Sequence, residues 1–78
     1  MESTFDQAKK ILAVNVRAAR LAAGVSQEEL AFKAGIDRTY ASQIERAIAN
    51  PSLGISCAVA DALGCTLIDL LTARGVEG

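Results

Sequence analysis

Histidine is absent from this chain of 78 residues, and cysteine occurs only twice. The two cysteines, Cys57 and Cys65, stand at a spacing that matches no zinc motif, and two thiols cannot close a tetrahedral zinc site alone. Both fall on otherwise apolar faces, where a reduced cysteine acts as a small hydrophobe. Buried thiols in a cytosolic protein are therefore expected, with a redox switch as the remote alternative. Lacking histidine, a metal-ligand cluster and a glycine-rich phosphate loop, the chain is not expected to be an enzyme. Neither a metal, a cofactor nor a small-molecule ligand is expected. Also missing are a signal peptide, an apolar run of membrane length, an internal repeat and a low-complexity segment, which points to the cytoplasm.

Positive charge is not in excess either. Eight basic side chains face nine acidic ones, a net charge of −1, so the global basic signature of many nucleic-acid binders is missing. The distribution is uneven, however: residues 17–46 hold five basic and four acidic groups, whereas 47–78 hold one and three. Arg17, Arg38 and Arg46 concentrate positive potential in the first of these stretches. Apolar groups, in contrast, make up 51% of the chain, with a mean hydropathy of +0.29. Residues 1–78 read as one domain, near the lower size at which a single core suffices. So small a domain cannot hide that many apolar groups, and a second copy is the simplest cover for the surplus.

The most informative stretch is Ser26 to Arg46. Ser26 and Glu29 have the spacing of a capping box, and Val25 and Leu30 that of a hydrophobic staple. Leu30, Ala31 and Ala34 recur at helical spacing and face inward. Gly35 ends this helix, because a sharp turn needs the left-handed conformation that glycine adopts cheaply. Ile36 plugs the corner and Asp37 is placed to cap the next helix. Two helices around such a corner form a helix-turn-helix. In the second, Ala41, Ile44 and Ile48 fall on one side, and Arg38, Thr39, Ser42, Gln43 and Arg46 on the other. That outer side suits base edges: Arg forks onto guanine, Gln onto adenine, and Thr meets the thymine methyl. A solvated face that binds nothing is the alternative.

The flanking elements are also helical. The first helix is expected to begin after Ser3 or Thr4 and to run to Ala23, stopped by Gly24. Phe5, Ala8, Leu12, Val16 and Ala19 or Ala23 form its inward stripe, and Ile11, Val14 and Ala18 widen the apolar surface. Residues 1–7 either fray or add a turn that packs on the helices or on a second subunit. Lys9 and Lys10 read as a solvated pair, with contact to phosphate as the lesser alternative. A fourth helix starts at Pro51 and Ser52, with Ser52 as cap, Leu53, Val59, Ala60 and Leu63 inward, and Gly64 as stop. A fifth begins at Thr66 with Asp69 completing a capping box. Leu67, Ile68, Leu70 and Leu71 on it, with Ile48 and Ile55, are expected to meet a second copy. The tail 75–78 is expected to be disordered.

Gln27 to Glu45, with its QEELA, AG corner and SQIE, resembles the helix-turn-helix of the Cro and phage-repressor (XRE) family. The similarity extends forward to Val16-Arg17 and Arg20 and onward through Asn50-Pro51-Ser52-Leu53 and Ala62-Leu63-Gly64. Asp37-Arg38-Thr39-Tyr40, Ser42 and Ile44-Glu45-Arg46 are also similar to the recognition helix of restriction–modification controller proteins, small dimeric regulators that bind operator DNA. The resemblance implies an all-α, five-helix, lambda-repressor-like domain that binds double-stranded DNA as a homodimer. It further implies that Arg20 and Glu45 form a structural ion pair and that Gln27 bonds a DNA phosphate at its helix N-terminus. Tyr40 would face the operator, core packing being an almost equal alternative. Arg38, Thr39, Ser42 and Gln43 are expected to read bases, and Gln27, Tyr40, Arg46, Asn50 and Ser52 to meet the backbone. Lys33 projects outward and is a weaker backbone candidate.

The chain departs from the family after Arg46, where Ala47 replaces a common glycine and the basic residues usual in the loop are missing. Without glycine a left-handed stop is costly, so the recognition helix is expected to run an extra turn toward Asn50. Ser56 stands where the family has a large apolar residue, which predicts looser packing. Three other functions compete: an antitoxin-type autorepressor, a phage-type repressor, and a protein-interaction module without DNA binding. The first has little chain left for a toxin, and the second usually carries an additional oligomerising domain.

Overall fold

The computed structural model describes residues 2–73, and the expected tail at 75–78 lies outside them. Among the described residues the chain forms five helices and no strand: α1 Thr4–Ala23, α2 Gln27–Ala34, α3 Arg38–Glu45, α4 Leu53–Leu63 and α5 Leu67–Leu71. Side chains close most of the starts. Ser3, Ser26, Ser52 and Thr66 each accept a backbone N–H three residues on, and Ser26–Glu29 and Thr66–Asp69 are full capping boxes. Gly24, Gly35 and Gly64 close α1, α2 and α4 in the left-handed conformation, so an added Cβ at any of them would be strained.

Packing follows the apolar stripes. Leu12 and Val16 of α1, Leu30 of α2, Ile44 of α3, Ala49 of the next loop, Val59 and Ala60 of α4 and Leu70 of α5 form the core. The staple residue Val25 and the corner residue Ile36 pack against it half-buried. Truncating a fully buried Leu such as Leu30 costs about 2–5 kcal/mol, so these contacts hold α2 and α3 in fixed relation. Residues 4–7 continue α1 rather than fraying, yet Phe5 is half exposed and Val14 more so. Lys9 lies over the Phe5 ring and near Asp6, while Lys10 pairs with Glu2.

Several expectations are corrected. Leu53, assigned to the inner side of α4, is 71% exposed because it is the helix's first residue and projects past the core. Cys57 is exposed rather than buried, and Cys65 is half-buried against the core. Leu70, expected at a subunit contact, is interior to the protomer at 1% exposure. Ile68, two positions earlier and so about 200° around the helix, faces solvent instead. Ser56 is buried, its hydroxyl donating to the Ser52 carbonyl at 2.9 Å. A cleft of about 230 Å³ lies beside it, with walls that include Phe5, Leu12, Leu53, Ser56, Leu67 and Leu71.

α3 ends sooner than expected. Its last helical residue is Glu45, and Ala47 adopts φ 59°, a left-handed alanine. The Ile48 N–H donates to the Gln43 carbonyl at 2.9 Å and that of Ala47 to Ile44 at 3.1 Å, the paired bonds of a Schellman stop. Two effects outweigh the local strain: those bonds satisfy the helix's final carbonyls, and Ala49 becomes buried in the core.

One buried polar residue was not foreseen as functional to the fold. Asn15 sits 4% exposed on the inner face of α1, and its amide donates to the carbonyls of Leu70 at 2.9 Å and Thr72 at 2.8 Å. A contact of 3.4 Å to the Asp69 carbonyl completes the cluster. A five-residue helix cannot sustain itself in water. Asn15 fastens its C-terminal end to α1.

Candidate nucleic-acid interface

The corner between α2 and α3 is built as its sequence suggests. The Ser26 hydroxyl accepts from Glu29 N–H at 3.0 Å, and the Glu29 carboxylate accepts from Ser26 N–H at 3.0 Å. The Ser26 backbone N–H, then its hydroxyl, hold the Glu29 carboxyl below its ordinary value of 4.5. Gly35 turns left-handed at φ 73°, and Ile36 N–H returns to the Ala31 carbonyl at 2.9 Å. Asp37 takes the extended conformation of a capping residue, but its side chain makes no capping bond among the described residues. The first N–H groups of α3 therefore remain open to solvent or to an anion.

From that corner α3 presents two faces. Ala41 and Ile44 are buried, whereas Arg38 and Thr39 in the first turn are exposed. Ser42 and Gln43 are half-buried on the outer side, and Arg46 is exposed at its end. Ile48 leaves the inner side once the helix stops and is 54% exposed. Tyr40 is half-buried against the core and flanks a shallow depression with Gly35, Ile36, Asp37 and Ile55, a position in which its ring packs. Lys33 of α2 and Asn50 of the following loop are exposed. Ser52 is exposed too, with its hydroxyl oxygen occupied in capping α4.

Behind this surface lies a charge cluster that joins three helices. The Arg20 guanidinium donates to both oxygens of Glu45, Nε at 2.7 Å and a terminal nitrogen at 3.1 Å. Its other terminal nitrogen donates to the Val25 carbonyl at 3.0 Å. The expected ion pair is thus formed, with the Arg20 side chain 10% and the Glu45 side chain 2% exposed. The hydrogen bond to Glu45 raises the Arg20 pKa, against the opposing effect of burial. Arg20 is spent on structure and does not add to the outer surface. Gln27, foreseen as a phosphate ligand, is half-buried and donates its amide Nε2 to Glu45 Oε1 at 3.2 Å. That bond had no local signal, since its partners come from different helices.

The apolar residues expected to meet a second copy are divided. Ile48, Ile68 and Leu71 are exposed, Ile55 and Leu67 half-buried, and Leu70 internal. Leu53, at 71% exposure, joins the exposed group. Among the described residues no helix is long and apolar enough to cross a membrane.

Comparison with known proteins agrees with this geometry. The control protein C.SmaI of Serratia marcescens is 40% identical over 73 residues, covering 94% of this chain and 87% of that protein. The crystal structure of the hypothetical transcription factor NHTF from Neisseria is similar with a TM-score of 0.85 at 39% identity, covering 91% of this chain and 80% of the other. The restriction-modification controller protein C.AhdI from Aeromonas hydrophila gives a TM-score of 0.77 at 37% identity, covering 80% and 94%. The helix-turn-helix family model HTH_3 matches residues 16–70, the span from mid-α1 to Leu70. The chain belongs to that helix-turn-helix family, a family of DNA-binding regulators and not of enzymes, and is a DNA-binding transcription regulator.

Proposed function

We propose that the protein is a homodimeric operator-binding regulator that controls a restriction–modification system in the cytoplasm. The observation that carries this reading is the outer side of α3, where Arg38 and Thr39 stand exposed immediately after a glycine corner. Similarity to two proteins described as controllers supports the biological setting. Arg38, Thr39, Ser42 and Gln43 read base edges in the major groove. Arg46, Gln27 and Asn50 hold the backbone, with Ser52 and Tyr40 at the margin, and so fix register without carrying sequence information.

Ile48, Leu53, Ile68 and Leu71, with Ile55 and Leu67 beside them, form the contact between subunits. Exposed leucine and isoleucine side chains on one small domain are better covered than solvated, which favours a symmetric pair. A two-fold axis then sets the two recognition helices about 34 Å apart, on successive major grooves of a palindromic site.

The test combines selection of bound sites from random DNA with titration of variants on the selected site. Arg38→Ala should cost about 1–3 kcal/mol per half-site and relax the preference at one base pair of each half-site. Arg46→Ala should weaken every sequence alike and lower the salt dependence by about one ion per subunit. Unchanged affinity and preference in Arg38→Ala refutes the base-reading assignment. Sedimentation as a monomer on and off DNA refutes the dimer.

A further inference from the structure

Glu45 is the last residue of the recognition helix, yet its carboxylate is directed inward to Arg20 and Gln27 and not to solvent. An ionised carboxylate only accepts hydrogen bonds. It therefore settles which end of the Gln27 amide faces it: the nitrogen, at 3.2 Å from Oε1. Nε2 carries two hydrogens, and Glu45 takes one of them. The other is left for an acceptor outside the protein, at the first residue of α2, where the helix dipole favours an anion. Without Glu45 the amide is free to rotate by half a turn and present its oxygen, which repels a phosphate oxygen. Arg20 matters to the same device, because it neutralises a carboxylate that lies close behind a phosphate-binding position.

We infer that Glu45 is a positioning residue for DNA-backbone recognition, aiming the Gln27 amide N–H at a phosphate. This rests on the assignment of Gln27 as a backbone contact made above. Glu45 itself does not touch DNA in this arrangement; it acts through Gln27.

A double-mutant cycle on a random-sequence 30-base-pair duplex tests this, since a backbone contact is independent of sequence. Gln27→Ala should weaken binding on the order of tenfold for each subunit bound, the worth of a hydrogen bond to a charged group. The slope of log affinity against log salt should stay unchanged, because an uncharged amide releases no counterion. Glu45→Gln should lose a similar factor alone and nothing further in the Gln27→Ala background, with the folded fraction of every variant checked by circular dichroism. If the two losses multiply, or if Glu45→Gln binds as tightly as the wild type while Gln27→Ala does not, the positioning role is overturned. If Gln27→Ala binds normally, the phosphate assignment fails first and the positioning role with it. A measurement on the unsubstituted protein is independent of variant folding: the two side-chain amide protons of Gln27 are followed by NMR as the duplex is added. One should stay in place, bonded to Glu45, while the other shifts; both moving, or neither, overturns the inference.

Discussion

Replacing Ala47 by glycine should make the protein more stable, although the substitution removes a methyl group and adds no contact. Ala47 holds φ 59° at the stop of α3, a conformation that costs an L-residue roughly 1–2 kcal/mol through its Cβ. Glycine removes that strain, while its greater freedom in the unfolded chain returns about 0.4–1 kcal/mol. The net gain is about 1 kcal/mol, which for a domain of this size raises the midpoint of thermal unfolding by about 4–8 °C. The assay is thermal denaturation followed by circular dichroism at neutral pH. Ala47→Val brackets the result from the other side, because a β-branched residue at positive φ is a genuine outlier and should lower the midpoint. An unchanged or lower midpoint in Ala47→Gly refutes the reasoning and says that the loop relaxes around alanine without strain.

Other perturbations follow from the same structure. Asn15→Leu leaves the carbonyls of Leu70 and Thr72 without their donors and should cost about 1–3 kcal/mol in urea unfolding; hydrogen exchange should quicken in α5 before elsewhere, and a uniform change would contradict the clamp. Arg20→Ala strands the 2%-exposed Glu45 side chain and should cost about 3–5 kcal/mol, so a loss below 1 kcal/mol would mean that water reaches the carboxylate. The Glu29 carboxyl titrates below its ordinary 4.5 in the folded state. Its stabilising effect is complete above that value and disappears as the pH falls through the folded-state one. Urea unfolding of wild type and Glu29→Gln should therefore differ at pH 7, and the difference should shrink as the pH is lowered below 4.5; a difference that stays constant throughout would sink this account.

Features written in neighbouring residues are legible in the sequence itself. Serine or threonine three residues ahead of an acidic group, and glycine after an apolar stripe, define caps and stops by local chemistry alone. They placed α1, α2, α4 and α5 correctly. The Arg20–Glu45 pair came from family resemblance, and its geometry agrees. What escaped depends on residues far apart in the chain. Asn15 finds its acceptors more than fifty positions away, although a lone amide between Leu12 and Val16 was a sign that something buried had to receive it. Leu70 could not be told from Ile68 or Leu71 by periodicity, because nearly every position of α5 is apolar. At Ala47 the cost of a left-handed alanine pointed to a longer helix, whereas α3 stops at Glu45 with two backbone bonds closing its end and Ala49 buried. Arg38, Thr39, Ser42 and Gln43 stand on the outer side as their spacing predicts.

The amide of Asn15 has a reach beyond its own neighbourhood. Whatever α5 offers to another subunit is aimed by α1, since the five residues of α5 do not hold their own course. In the proposed dimer, the distance between the two reading heads is therefore gauged by a side chain remote from the nucleic acid. Loosening that anchor should produce a regulator that tolerates operators with one base pair added or removed between half-sites, gaining permissiveness and losing discrimination without any change to the residues that read bases.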